Sequence, residues 1–161
     1  MKINDLKYGD KEEEIRKSLG TPNKEKNITK DKYSYKELIY DGLTVTLKEF
    51  YNDYMLVGVK VTSNKYDVAR NIKVNDSITK TMKKFKVQNK KGTYMYGNYP
   101  YKALSDDEIT ETIYFGARNS SKVLYVNKDA TVNNEKSNIS KLNIYYKLGK
   151  ITKIEWSYDF E

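Results

Sequence analysis

Apolar residues return at two periods along the chain, and each period predicts a different element. Ile15 and Leu19 are four apart, as are Ile78 and Met82, and Phe85 follows three further on. That spacing lines one face of a helix. Elsewhere the period is two: Leu43, Val45 and Leu47; Met55, Val57, Val59 and Val61; Leu142, Ile144 and Tyr146; Ile154, Trp156 and Tyr158. Such alternation predicts strands with one buried face. Asp41-Gly42 predicts a tight turn joining strands at 35–40 and 43–50. Trp156 is in phase with Ile154 and is expected in the core.

Punctuation sharpens the first helix. Asp10 reads as an N-cap with Glu13 completing a capping box. Glu12, Glu13 and Glu14 suit the positive end of the helix dipole. Gly20 and Pro22 end the helix. Tyr8–Asn23 has no Gly-Lys-Ser/Thr ending, so a phosphate loop is a weak reading of it. Ile72-Lys73-Val74-Asn75-Asp76 echoes Leu6-Lys7-Tyr8-Gly9-Asp10, with the two Asp residues 66 positions apart. Leu19 and Phe85 keep that spacing, which predicts an internal duplication.

Further strands are expected at 109–115 and 122–126, and a mobile polar excursion at 127–140. A turn is expected at Leu148-Gly149-Lys150. The pattern thus predicts an α+β protein: helix, then antiparallel strands, twice. The first unit is 1–68. The second is 69–161, with a longer insertion at about 88–140. One face of each sheet meets its helix and the other faces water.

Composition then narrows the chemistry. The chain has 161 residues, enough for one or two small cores without staples. It has no Cys and no His. That excludes thiol nucleophiles, disulfides and Cys-type zinc sites, and removes the usual proton shuttle and metal ligand. Catalysis is therefore not expected, and no cofactor or metal is implied. The formal charge is +8, yet of 30 basic residues only Arg16, Arg70 and Arg118 are Arg. Phosphate readers favour Arg, so no specific nucleic-acid partner is expected, and Lys-based polyanion binding stands as an alternative. No apolar run is long enough to span a membrane. Met1-Lys2-Ile3-Asn4 leads into polar sequence, so either the protein is cytosolic or its signal segment precedes Met1.

Three segments carry a family likeness. Leu6-Lys7-Tyr8-Gly9 through Ile15 to Leu19-Gly20 is similar to the repeat opening of the β-lactamase inhibitory protein family. Ile144-Tyr145-Tyr146, Gly149, Ile151 and Trp156 to Asp159 resemble that family's closing hairpin with its late Trp. Asn98-Tyr99-Pro100-Tyr101 resembles its tyrosine–proline segment. The resemblance implies two tandem helix-plus-sheet repeats, a fold that similar small bacterial surface lipoproteins of unknown role also carry. The family's two disulfides have no counterpart here. In that family an acidic residue followed by Tyr, on a hairpin loop of the first repeat, enters the target's active site in place of a substrate carboxylate. Asp53-Tyr54 falls on the matching loop.

The expected function is non-catalytic binding of another protein outside the cytoplasm, through the exposed sheet face and the hairpin loops. The candidate residues are Asp53, Tyr54 and Tyr51, with Tyr94, Tyr96, Tyr99 and Tyr101 of the tyrosine-rich YMYGNYPY. Aromatics anchor interfaces with large area and few lost rotamers. Asp53 also suits a hairpin for local reasons, and the tyrosines also suit an outward strand face. The resemblance narrows the partner to a serine β-lactamase or a related cell-wall enzyme, with the chain as its inhibitor.

Overall fold

The computed structural model describes residues 2–3, 6–68, 70–85, 97–102, 108–118, 121–132 and 135–158. The chain divides into two compact units, Met1–Val74 and Asn75–Glu161. Both are mainly antiparallel sheet with one short helix, so the protein is α+β.

The first unit opens with a minimal antiparallel pair, β1 (Lys2–Ile3) and β2 (Leu6–Lys7), followed by α1 (Glu12–Leu19). An antiparallel meander follows: β3 (Lys24–Lys30), β4 (Tyr33–Tyr40), β5 (Leu43–Phe50) and β6 (Asp53–Val61). Asp31-Lys32 and Tyr51-Asn52 are two-residue turns with both φ positive, the backbone that matches strand twist. Gly42 supplies positive φ at the remaining turn, where a Cβ would clash with the Ser63 side chain.

The helix starts one residue later than the cap signal predicts. The Asp10 carboxylate accepts the Lys7 N–H at 2.7 Å, closing the preceding turn, and the Asp10 carbonyl accepts the Leu56 N–H. With both groups committed to that docking, Lys11 becomes the cap residue, and Glu14 rather than Glu13 accepts its N–H at 2.9 Å. Gly20 ends the helix at φ 79°. Eight residues are too few to hold a helix alone. Docking on the sheet holds it. Ile15 is fully buried, worth about 1.5–3 kcal/mol. Lys36 pairs with Glu12 at 2.7 Å, and Tyr40 Oη donates to the Gly20 carbonyl at 3.2 Å.

These contacts identify the helix-facing side of the sheet. It carries Lys36, Leu38 and Tyr40 on β4, and by register Leu43, Val45 and Leu47 on β5 and Leu56, Val59 and Val61 on β6. All but Lys36 are buried.

The second unit has α2 (Ile78–Lys83), then β7 (Gly97–Lys102), β8 (Glu108–Arg118), β9 (Ser121–Val132), β10 (Glu135–Lys147) and β11 (Lys150–Ser157), paired in chain order. Ser77 Oγ accepts the Lys80 N–H and caps α2. Ile78 and Phe85 are buried as the helical spacing predicts, but Thr81, not Met82, is the third fully enclosed residue. Leu142, Ile144, Ile154 and Trp156 form core, in phase with the predicted alternation.

Within the predicted excursion at 127–140, residues 127–132 and 135–140 are instead strand. Val132 pairs with Glu135, and the ladder runs back to Lys122 opposite Tyr146, with a register shift between Asn138 and Ser140. β9 is also paired along its other edge, from Arg118 opposite Ser121 to Glu108 opposite Thr131. Two ladders satisfy its backbone, so polar composition there does not mean loop.

One docking pattern occurs in each unit. In the first, Gly9 N–H donates to Leu56 O, Leu56 N–H to Asp10 O, and Lys11 bridges Met55. In the second, Asn75 N–H donates to Ile151 O, Ile151 N–H to Asp76 O, and Ser77 bridges Lys150. Gly9 and Asn75 both take positive φ, at 85° and 73°. The 66-residue offset read from sequence therefore matches backbone positions one to one across these turns.

Candidate functional site

The candidate site is built on the side of the first unit's sheet away from α1. Strand alternation puts every second residue there. Register sets four of them in one row: Ile28 on β3, Tyr35 on β4, Lys48 on β5 and Met55 on β6. Two residues along, Tyr33, Phe50 and Asp53 share that face.

The row is not the simply wet surface expected of it. Lys48 is only 8% exposed. Its Nζ lies 3.6 Å from the Tyr33 ring centroid, 5.3 Å from Phe50 and 6.0 Å from Tyr35. Each such contact stabilises an ammonium by about 0.5–2 kcal/mol, depending on how dry it is. Full desolvation of an unpaired ammonium would cost several kcal/mol. Among the described residues no carboxylate comes within ion-pair distance of it.

The second unit holds the same motif in neutralised form. Lys153 Nζ lies 3.6 Å from the Tyr145 ring centroid, but Glu155 pairs with it at 2.8 Å. Tyr145 Oη donates to the other Glu155 oxygen at 2.6 Å.

The predicted hairpin site is arranged differently from expectation. Asp53-Tyr54 does not lie on the loop itself: only Tyr51 and Asn52 form the turn. Asp53 and Tyr54 already pair with Phe50 and Glu49 in the ladder. They face opposite sides. Tyr54 turns toward α1, with Lys36 Nζ 4.4 Å from its ring centroid. Asp53 lies on the open face, where Lys11 Nζ donates to its carboxylate at 2.7 Å. That hydrogen bond raises the Lys11 ammonium above its ordinary pKa. The structure therefore does not bring Asp53 and Tyr54 together as one acidic–aromatic tip.

Tyr51 is 100% exposed at φ 49°. Leu148, first residue of the β10–β11 turn, is 94% exposed at φ 49°. Bulky side chains seldom take that backbone region, and Asn or Gly would satisfy either turn without strain. Of the tyrosine-rich segment, Tyr94 and Tyr96 lie outside the described residues. Tyr99 and Tyr101 are on β7, opposite Glu111 and Ile109.

Comparison with family models, curated proteins and solved structures gives no match.

Sequence reasoning missed Lys48, Tyr33, Tyr35 and Phe50 as site residues. The signal was present. In Leu43–Phe50 the polar phase Thr44, Thr46, Lys48 ends in Phe50, and Tyr33 and Tyr35 run out of phase with Leu38 and Tyr40. Aromatics on the outward phase of two adjacent strands mark a face meant for more than solvent.

Proposed function

We propose that the protein is a non-catalytic extracytoplasmic binding module for another protein, built on two tandem copies of one helix-plus-sheet unit. The matched docking turns 66 residues apart support the tandem reading. The observation that carries the binding reading is the first unit's open face, where Tyr33, Tyr35, Phe50 and Met55 surround Lys48 and Ile28 extends the row beyond Tyr35. Such a surface costs solubility and adds nothing to the core beneath it, so a partner is its best physical rationale. The strained, exposed Tyr51 beside it supports the same reading, since backbone strain persists where a function keeps it.

The extracytoplasmic setting rests on the family likeness, as does the narrower reading of a serine β-lactamase inhibitor. Inhibition through Asp53 requires its carboxylate to leave Lys11. A chromogenic cephalosporin assay with a purified serine β-lactamase tests that directly. Inhibition lost in Asp53→Ala supports it, and full activity at high protein concentration removes it. Polyanion binding requires affinity for heparin that falls steeply with salt, and its absence removes that reading.

The broader reading is tested by affinity capture from envelope extracts with the wild-type protein and a Tyr33→Ser/Phe50→Ser variant of unchanged melting temperature. A protein retained by the first and lost by the second supports it. Identical retention by both contradicts it.

A further inference from the structure

We infer that Lys48 receives a carboxylate from the docked partner, so that the partner presents an Asp or Glu side chain flanked by apolar residues to the centre of this face. The inference rests on reading the face as a docking surface and specifies its chemistry. The starting point is a cation that is nine-tenths enclosed, ringed by three aromatic side chains, and without an ion pair among the described residues. By register, the acidic groups on this face nearest to it are Glu37 and Asp53. Asp53 is held by Lys11, and Glu37 lies opposite Lys26 and makes no ion pair with Lys48. Lys60 adds positive charge to the same face.

A partner that covered this row would strip the remaining water from the ammonium. An apolar or neutral partner would leave a buried, unpaired charge, which is strongly unfavourable. A partner carboxylate turns that penalty into a charge-assisted hydrogen bond in a dry aromatic surround. Tyr145, Lys153 and Glu155 show this chain making the completed arrangement internally in its second unit. In the first unit the aromatic rings and the lysine are present and the acid is left to come from outside. Lys48 is one enclosed cation between Tyr35 and Met55, which suits a single carboxylate, and the exposed Lys26, Lys30 and Lys60 on the same face add attraction for an acidic partner.

The test is a random heptapeptide phage library panned on the whole protein, with chosen peptides then resynthesised. Enriched peptides are expected to carry Asp or Glu next to apolar residues. Changing that acid to its amide is expected to weaken binding at least about tenfold. Lys48→Met keeps the stem against the rings and is expected to weaken binding to a similar degree, while Lys48→Arg retains it. Peptides that need Phe50 but tolerate both the amide and Lys48→Met overturn the carboxylate inference and leave the docking face standing. Peptides indifferent to both Lys48→Met and Phe50→Ser, or no enrichment at all, overturn both. The amide comparison uses wild-type protein, so it holds even if a Lys48 variant folds poorly.

Discussion

At the residue scale, Thr81 and Leu148 are the sharpest departures from what local chemistry favours. Thr81 is fully buried, and its Oγ1 has no hydrogen-bond partner. Its N–H closes the first helical turn on the Ser77 carbonyl, as that of Ile15 does on Lys11 in the first unit. The equivalent place thus holds an apolar residue in one unit and an unsatisfied hydroxyl in the other. Thr81→Val is expected to stabilise the protein by about 1 kcal/mol, seen as a higher melting temperature. Leu148→Asn creates Asn-Gly, the preferred pair for this turn, and is expected to add about 1 kcal/mol by relieving the left-handed leucine. Tyr51→Asn is expected to stabilise likewise while weakening partner binding, which a melt and a capture assay on the same variant would show together. Helical spacing does set Thr81 on the stripe, three after Ile78 and four before Phe85, and the 66-residue offset sets it opposite Ile15. A search for apolar residues alone passes over it because it is polar.

At the element scale, the helices and the hairpins with apolar alternation were legible, while the all-exposed β3 and the long polar ribbon were not. Alternation placed β5, β6, the end of β10 and β11, and turn residues fixed where most of them end. The helix cap moved by one residue because Asp10 serves the β6 docking turn first, a tertiary demand that no local pattern carries. β9 and β10 were missed over 127–132 and 135–140 because their residues there are polar and carry no apolar alternation, although the pairing is a local hairpin. Two predictions belong at this scale. Gly42→Ala is expected to cost about 1–3 kcal/mol in chemical denaturation, since it combines positive φ with a clash at Ser63. Glu12 anchors α1. Burial alone would raise its carboxyl, but hydrogen bonds from Lys36 and Arg16, and their charges, outweigh that and hold it below its ordinary pKa. A depressed carboxylate stabilises the fold above its unfolded pKa and loses that contribution as pH falls through the folded value. Glu12→Gln is therefore expected to cost about 1 kcal/mol near neutral pH. The gap to wild type should shrink once pH drops below about 4.3. A gap that widens in acid would contradict the assignment.

At the scale of the whole molecule, the two units share a docking turn and differ on the outward side of the sheet. The shared turn has a positive-φ residue, an Asp and a short helix in both units. One unit closes its lysine–tyrosine contact with Glu155, while the other surrounds Lys48 with three rings and supplies no acid among the described residues. The expectation of a binding protein came from the absence of His and Cys, from the tyrosine content and from the family resemblance. The particular face became visible only when register brought Ile28, Tyr35, Lys48 and Met55 into one row. No helix among the described residues is long and apolar enough to cross a membrane. The most direct measurement is site-specific photo-crosslinking in the native cell, with benzoylphenylalanine at Tyr33, at Tyr51, and at Lys17 on the exposed side of α1. The expected result is one discrete protein adduct from positions 33 and 51 and none from 17. Equal labelling from all three, or no adduct from any, would contradict a protein-binding face on this sheet.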